Sequence, residues 1–393
     1  MNSSKGTARS NAPTRRLVLK TGACAAIITL GAGCDALDPS IDEAIAPWDA
    51  AGQDLGDPRL NALAFAILAP NPHNRQPWLI ELVNDDEIVI RPDLNRLLPE
   101  TDPLNRQIVV GFGCFLELLR QSAAERGYAT RTDPFPEGEP QPVLDDRPIA
   151  RVILSKQADV EADSLFKFAL QRRTVRTPFF DQKVDDVALV ELERVLRPTD
   201  GAFGWATDSL NVTTLKELCY RGWRIEANNK ATHEESARLT RIGKQEVMAS
   251  PDGISLYGRN IELLRMAGIL TEKNVKELGS TAHNETIKFY NGLIETASAF
   301  GWLSTPGNTR TDQLNAGTGW LRLHLAATRA GLAMHPLSQV LQEFPAMSGP
   351  YEEIHDYVGG GKSSTVQGLF RFGYAEAPTP SPRWPLKTRI VSN

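Results

Sequence analysis

The decapeptide Ala69-Pro70-Asn71-Pro72-His73-Asn74-Arg75-Gln76-Pro77-Trp78, APNPHNRQPW, sets a histidine, an arginine and three carboxamides among three prolines. Asn71, Asn74 and Gln76 each carry a donor and an acceptor, the complement of a planar ring edge with alternating carbonyls and nitrogens. Pro70, Pro72 and Pro77 restrict the backbone and lower the entropy lost on holding those amides in place. A turn whose asparagines cap their own backbone would use the same residues. Both readings stand at this point, and His73 alone does not choose between them.

A second donor-rich stretch, RRTVRTPFF, begins at Arg172. Arg172, Arg173, Thr174 and Arg176 offer three guanidinium forks and a hydroxyl, a set that can surround a phosphate monoester because arginine donates bidentately and stays charged. The alternative is a solvated basic helix end favoured by the helix dipole.

Around these stretches the pattern is mixed. Residues 57–68 show helical apolar spacing that stops before Pro70. Two short apolar runs, 78–82 and 88–90, flank VNDDE and predict a hairpin. Residues 105–128 form the strongest helical pattern of the first half, apolar almost all round as far as Leu119, which predicts a helix through the core. RPIARVIL reads as a strand, 162–171 and 184–196 as helices, and 212–241 as mostly helical. A strand at ASAFGWLST, a long helix over 313–329 and a strand at LFRFGYA follow. The class is α+β, with no strand-then-GxGxxG unit for a dinucleotide fold. There is no strict repeat, yet both halves hold strands and a long apolar helix, so two related lobes are expected.

The 393 residues are enough for one large domain or two ordinary ones. The first 34 residues hold Lys5, Arg9, Arg15, Arg16 and Lys20 and no acid; without them the net charge goes from -5 to -10. The remainder is mildly acidic, which argues against general nucleic-acid binding. Paired arginines, a short apolar run broken by Lys20, Gly22 and Gly31, and small residues before Cys34 have the order of an export signal rather than a membrane span. Thr14 to Lys20 resembles the twin-arginine motif, whose export machinery moves folded proteins. Gly31-Ala32-Gly33-Cys34 resembles a lipoprotein cleavage box, with membrane attachment through Cys34; cleavage without lipidation is the alternative. Residues 35–54 read as a tether. Cys114 and Cys219 lie in apolar helical patterns and read as buried free thiols. His233, His283 and His355 read as isolated and support no metal site, and His324 reads as a core histidine.

APNPHNRQPW resembles the flavin-binding turn of the nitroreductase superfamily, in particular its Acg-like branch, where the pattern runs Ala-Pro-Ser-x-His-Asn-x-Gln-Pro-Trp. The resemblance covers about residue 55 to the end. It extends to GTGWLRLHLAATRAGLAMHPLSQ from Gly317, LFRFGYA from Leu369 and PSPRWPL from Pro380. It implies a nitroreductase-like fold with two lobes forming a pseudo-dimer around an FMN cleft, an N-terminal lobe over 55–200 and a C-terminal lobe over 201–393. It also implies FMN contacts by Asn71, His73, Asn74 and Gln76, with Asn74 and Gln76 at the ring edge. Arg172, Arg173, Thr174, Arg176 and Arg383 would surround the phosphate. Gly331, Met334, His335, Pro336, Leu337 and Ser338 would line the ring pocket. Asn71 stands where the branch has Ser, and Trp384 where it often has a second Arg. The implied function is an exported FMN-dependent oxidoreductase that passes electrons through flavin N5 to a small-molecule acceptor such as a quinone or nitro compound, from an unidentified donor and with no protein nucleophile. A protein that stores or sequesters FMN is the alternative. Residues 232–285 match no part of the pattern.

Overall fold

A computed structural model describes residues 40–359 and 364–391. The predicted export signal, Cys24 and Cys34 lie outside the described residues. The described residues begin with α1 (Asp42–Ala50) and α2 (Pro58–Ala66). Asp57 caps α2 by accepting from the Arg59 N–H, and Pro58 opens it. Strands β1 (Trp78–Val83) and β2 (Glu87–Pro92) form the expected hairpin, with Asn84 left-handed at its turn. Helix α3 (Arg106–Glu125) runs through the core, then β3 (Tyr128–Pro134) and β4 (Ala150–Lys156) complete an antiparallel sheet of order β1-β2-β4-β3.

After α4 (Asp186–Glu193) and β5 (Ala202–Ala206), six helices and two short strands intervene before the second sheet resumes. They are α5 (Ser209–Asn228), α6 (Lys230–Leu239), β6 (Thr240–Ile242), α7 (Lys244–Ala249), β7 (Ile254–Leu256), α8 (Arg259–Met266), α9 (Glu272–Lys276) and α10 (Thr281–Glu295). Then come β8 (Ala299–Thr305), α11 (Arg310–Arg329), β9 (Ala333–Pro336), α12 (Ser348–Val358) and β10 (Thr365–Gly373), with sheet order β5-β8-β10-β9.

The two sheets have the same connectivity: two strands, a 20-residue helix, two strands, in spatial order first, second, fourth, third. The fold is thus α+β with two similarly built lobes. The long helices cross where each has a glycine at its eighth residue, Gly113 and Gly317. A Cβ on Gly113 would lie 2.1 Å from the Leu314 carbonyl oxygen, and one on Gly317 2.1 Å from that of Val110. Only glycine allows this approach of backbones. The helix starts also reach across. Buried Arg106 donates to Leu341 and Gln367 and pairs with Glu343, while buried Arg310 donates to Pro140 and Pro142. Exchange continues at the edges, where Ile390 bridges to Ile80 and Thr174 bridges to Met334, both in parallel sense.

The lobes differ most at one connection. Residues 84–86 join β1 to β2, whereas 207–298 join β5 to β8. That insertion contains the stretch that matched nothing in the sequence.

Three expectations need correction. Residues 162–171 hold only a 3-10 turn, Phe166–Phe168. Asp163 is committed to ion pairs with Arg120 and Arg322, and Phe166 packs on Phe65 with ring centroids 4.7 Å apart, so side-chain anchoring replaces a continuous helix. The expected tether contains α1, because Trp48 is 4% exposed and its indole N–H donates to the Ser381 carbonyl at 2.9 Å. His233 and His283 are not isolated; their rings meet edge to face at 4.9 Å. His324 and the two cysteines are buried as expected.

Candidate cofactor site

The proline-rich turn is bent by three non-glycine residues in the left-handed region, His73, Asn74 and Gln76, with φ of 47°, 50° and 50°. Such backbone costs about 1–3 kcal/mol per residue and persists only where its surroundings over-determine it. Asn71 supplies part of that: its carboxamide donates to the Ala69 carbonyl and accepts from the Gln76 N–H at 2.7 Å. Asn74 donates to the Pro382 carbonyl and accepts from Arg383 at 2.6 Å. Gln76, wholly buried, donates to the Pro251 carbonyl and accepts from the Trp384 N–H. The three amides therefore tie the turn to itself, to the C-terminal tail and to the insertion. The self-capping alternative applies to Asn71. Gly111 of α3 seats the turn, since a Cβ there would come within 3.1 Å of the Asn71 Cβ.

His73 has no such partner. Its Nδ1 is buried without a hydrogen bond, and burial, with the nearby Arg176 and Arg75 charges, pushes its pKa down to about 4. At neutral pH it is an uncharged imidazole.

Next to the turn, arginines gather without a counter-charge. Arg383 is 2% exposed and donates to the carbonyls of Ile67, Leu68, Ala69 and Pro382, to Ser381 and to Asn74. Arg172, 3% exposed, donates one bond to Leu68 and leaves its Nε buried and unpaired. Arg173 turns back to the carbonyls of Leu170 and Arg172. The Trp48 ring lies under all three, 4.5 Å from Arg173, 5.6 Å from Arg383 and 5.8 Å from Arg172. Burial lowers the pKa of Arg172 to about 10 and that of Arg383 well below its usual value, with Arg172, Arg173 and Arg176 adding repulsion on Arg383. Among the described residues none of these four arginines pairs with a carboxylate. Charges so placed are stabilised by an anion with several acceptor oxygens.

The far side is built from β9, β10 and α10. His335 is fully buried; its Nδ1 accepts from Arg371 Nε at 2.9 Å, and its Nε2 is unpaired. Tyr290 meets the His335 ring edge-on at 5.8 Å, stacks on Trp223 and accepts from Gln339. Arg176 is exposed, and its charge acts on His73, His335, Tyr290 and Arg383 together. Thr174 contributes its backbone bridge to Met334, and Ser338, half-buried, opens a 3-10 turn after β9.

The insertion closes on this site. Besides Pro251, Gly253 donates its N–H to the Asn74 carbonyl at 3.3 Å. Asp252 between them pairs with Arg96, Arg241 and Arg75 and accepts from the Trp384 indole. The surrounding guanidinium charges hold its carboxyl below the usual range despite burial.

The structure thus brings Arg172, Arg173 and Arg383 together around the Trp48 ring, and the Arg176 charge acts on both His73 and His335. Trp48, Tyr290, Asp252 and Arg371 were not anticipated. Trp48 had a signal in the helical spacing Ile41, Ala44, Trp48, and Arg371 in being a charge within an otherwise apolar strand. Tyr290 and Asp252 had none.

No family model matches the sequence. The chain is 26% identical over 351 residues to the Mycobacterium tuberculosis protein called "Putative NAD(P)H nitroreductase acg", covering 83% of this chain and 93% of that protein. It is 25% identical over 343 residues to an uncharacterised protein of the same organism, covering 83% and 90%. The FMN-dependent nitroreductase NfnB from Mycobacterium smegmatis aligns with a TM-score of 0.35 at 16% identity, over 56% of this chain and 92% of that one. The chain is thus similar over most of its length to the Acg protein, and its duplicated topology is that of a nitroreductase-like α+β fold.

Proposed function

We propose that this distant relative of the Acg-like nitroreductases is an exported FMN-dependent oxidoreductase that reduces a quinone, a nitro compound or another conjugated acceptor. The observation that carries the reading is the buried arginine group beside the strained turn, Arg172 with an unpaired Nε and Arg383 with no carboxylate partner. The residues fit FMN on both of its chemistries. Arg172 and Arg173 would hold the phosphate, and Arg383, whose N–H groups are engaged by carbonyls, Ser381 and Asn74, would add its charge, with Trp48 excluding water behind them. His73, His335 and Arg176 would face the polar ring, where two unpaired imidazole nitrogens await partners. Bound FMN would supply reversible two-electron chemistry at N5. The protein's share is to orient the ring, to place Arg176 where reduction adds negative charge, and to close the site with residues 250–253.

Export rests on the basic leader and the small-residue stretch ending at Cys34. An exported protein seldom meets NAD(P)H, so a membrane quinol or a redox partner is the proposed electron donor. One observation favours a second reading, FMN storage: Pro251 and Gly253 bond directly to the turn and Asp252 pins them there.

The visible spectrum of the protein purified without its leader, after FMN supplementation, tests both. Bands near roughly 370 and 450 nm, bleached by a quinol and restored by a quinone or nitro compound, support the oxidoreductase. Bands bleached by dithionite alone support storage. A folded, colourless protein that takes up no added FMN overturns both.

A further inference from the structure

Arg371 uses all five of its N–H donors. Nε donates to His335 Nδ1 at 2.9 Å; Nη1 donates to the Leu293 carbonyl and to Thr296 Oγ1; Nη2 donates to the carbonyls of Val175 and Thr177. Its planar face lies 3.8 Å from the centre of the Phe179 ring. No rotation of this guanidinium preserves the network. Because arginine has donors and no acceptor, His335 Nδ1 must be the accepting nitrogen. The single proton of a neutral imidazole is then on Nε2, the buried atom that has no partner. Two bonds of Arg371 also grip the main chain on either side of Arg176, so one buried cation orients both groups.

We infer that Arg371 is a positioning residue that fixes His335 as the Nε2–H tautomer and presents this N–H, beside the Arg176 guanidinium, to a carbonyl-type oxygen that gains negative charge on reduction. The inference rests on the flavin reading for the identity of that oxygen, which belongs either to the FMN ring edge or to the acceptor. The charged and titratable groups facing His335 are Arg371 from β10, Arg176 from the chain preceding α4 and Tyr290 from α10. Burial, together with both cations, opposes its protonation.

The first test needs no cofactor. Nitrogen-15 NMR of the histidine side chains in the FMN-free protein should show His335 with Nδ1 bare and Nε2 protonated, unchanged between about pH 5 and pH 8. A proton on Nδ1, or an imidazolium in this range, overturns the inference. The second test compares His335→Leu and His335→Gln, each checked for native melting, in the FMN-loaded protein. Loss of the donor in His335→Leu should weaken the affected ligand by about tenfold, and His335→Gln, which keeps an N–H, should restore most of it. A change in FMN dissociation constant and reduction potential at constant KM for a quinone assigns the oxygen to the flavin. A change in quinone KM or kcat at constant FMN affinity assigns it to the acceptor. No change in either property overturns the inference. Failure of the wild-type protein to bind FMN would instead strike the flavin reading, and the tautomer measurement tells the two failures apart.

Discussion

Replacing Arg172 with glutamine separates what the arginine group does for the fold from what it does for a ligand. In the ligand-free protein Arg172 makes one hydrogen bond, to Leu68 at 2.9 Å, and a distant cation–π contact with Trp48. Their loss costs about 1–2 kcal/mol. Against this, the substitution removes a buried charge that repels Arg383 and leaves Nε unpaired. The two effects oppose, so the melting temperature should move by no more than about 4 °C. Binding of FMN should respond quite differently. A hydrogen bond to a charged group contributes about 1.5–3 kcal/mol, so the variant should bind FMN about ten- to a hundredfold more weakly. Riboflavin, which lacks the phosphate, should bind wild type and variant alike. Titration of both flavins by fluorescence quenching, with melting curves of the free proteins, is the assay. An equal loss for riboflavin and FMN, or undiminished FMN affinity, would refute the phosphate assignment.

Glu226 is 4% exposed and among the described residues its carboxyl meets Gln342 but no cation, so burial pushes its pKa up to about 7. Its folded value lies above its unfolded value, so stability is lost as pH rises from about 4.5 to about 7, by about 3 kcal/mol, and is flat above. Glu226→Gln should erase that slope, leaving the variant the more stable at pH 8 in urea titrations; parallel curves for the two proteins would contradict the assignment. Gly113→Ala should cost about 1–3 kcal/mol or more in the same assay, because its Cβ would collide with the Leu314 carbonyl, and Gly317→Ala should match it. Asp252→Asn should free the insertion from the turn, leaving Arg75 and Arg241 without a carboxylate and Arg96 with Asp93 alone. Amide hydrogen exchange over residues 240–256 should then accelerate at least tenfold, and unchanged protection would show that Asp252 is not the pin.

Much of the first lobe and both long helices were legible because their signals are local. The hairpin flanking VNDDE, the core helix after Asn105 and the helix ending at Arg329 follow from apolar periodicity within 20 residues, and tertiary packing agrees with that pattern. The 162–171 stretch was misread because its charges and aromatics serve partners elsewhere in the chain. The same limit hid Trp48, whose partners Arg172, Arg173 and Arg383 lie far along the sequence.

For the site, the sequence by itself determined the chemistry of the parts: a proline-stiffened turn rich in amides, three arginines in five residues, and a basic residue in the tail. It did not determine which donors remain unspent. Asn71, Asn74 and Gln76 were expected to face a ligand, and the folded chain uses their amides to hold the turn, the tail and the insertion together. His73 and His335 keep unpaired nitrogens. The physical reason is that residue type sets how many hydrogen bonds a side chain can make, whereas the crossing of distant segments decides which are already made. The tertiary structure alone decided that Arg172 and Arg383, over 200 positions apart, share one buried face with no carboxylate between them, and that Arg371 consumes every donor it has on one side of the turn's opposite wall.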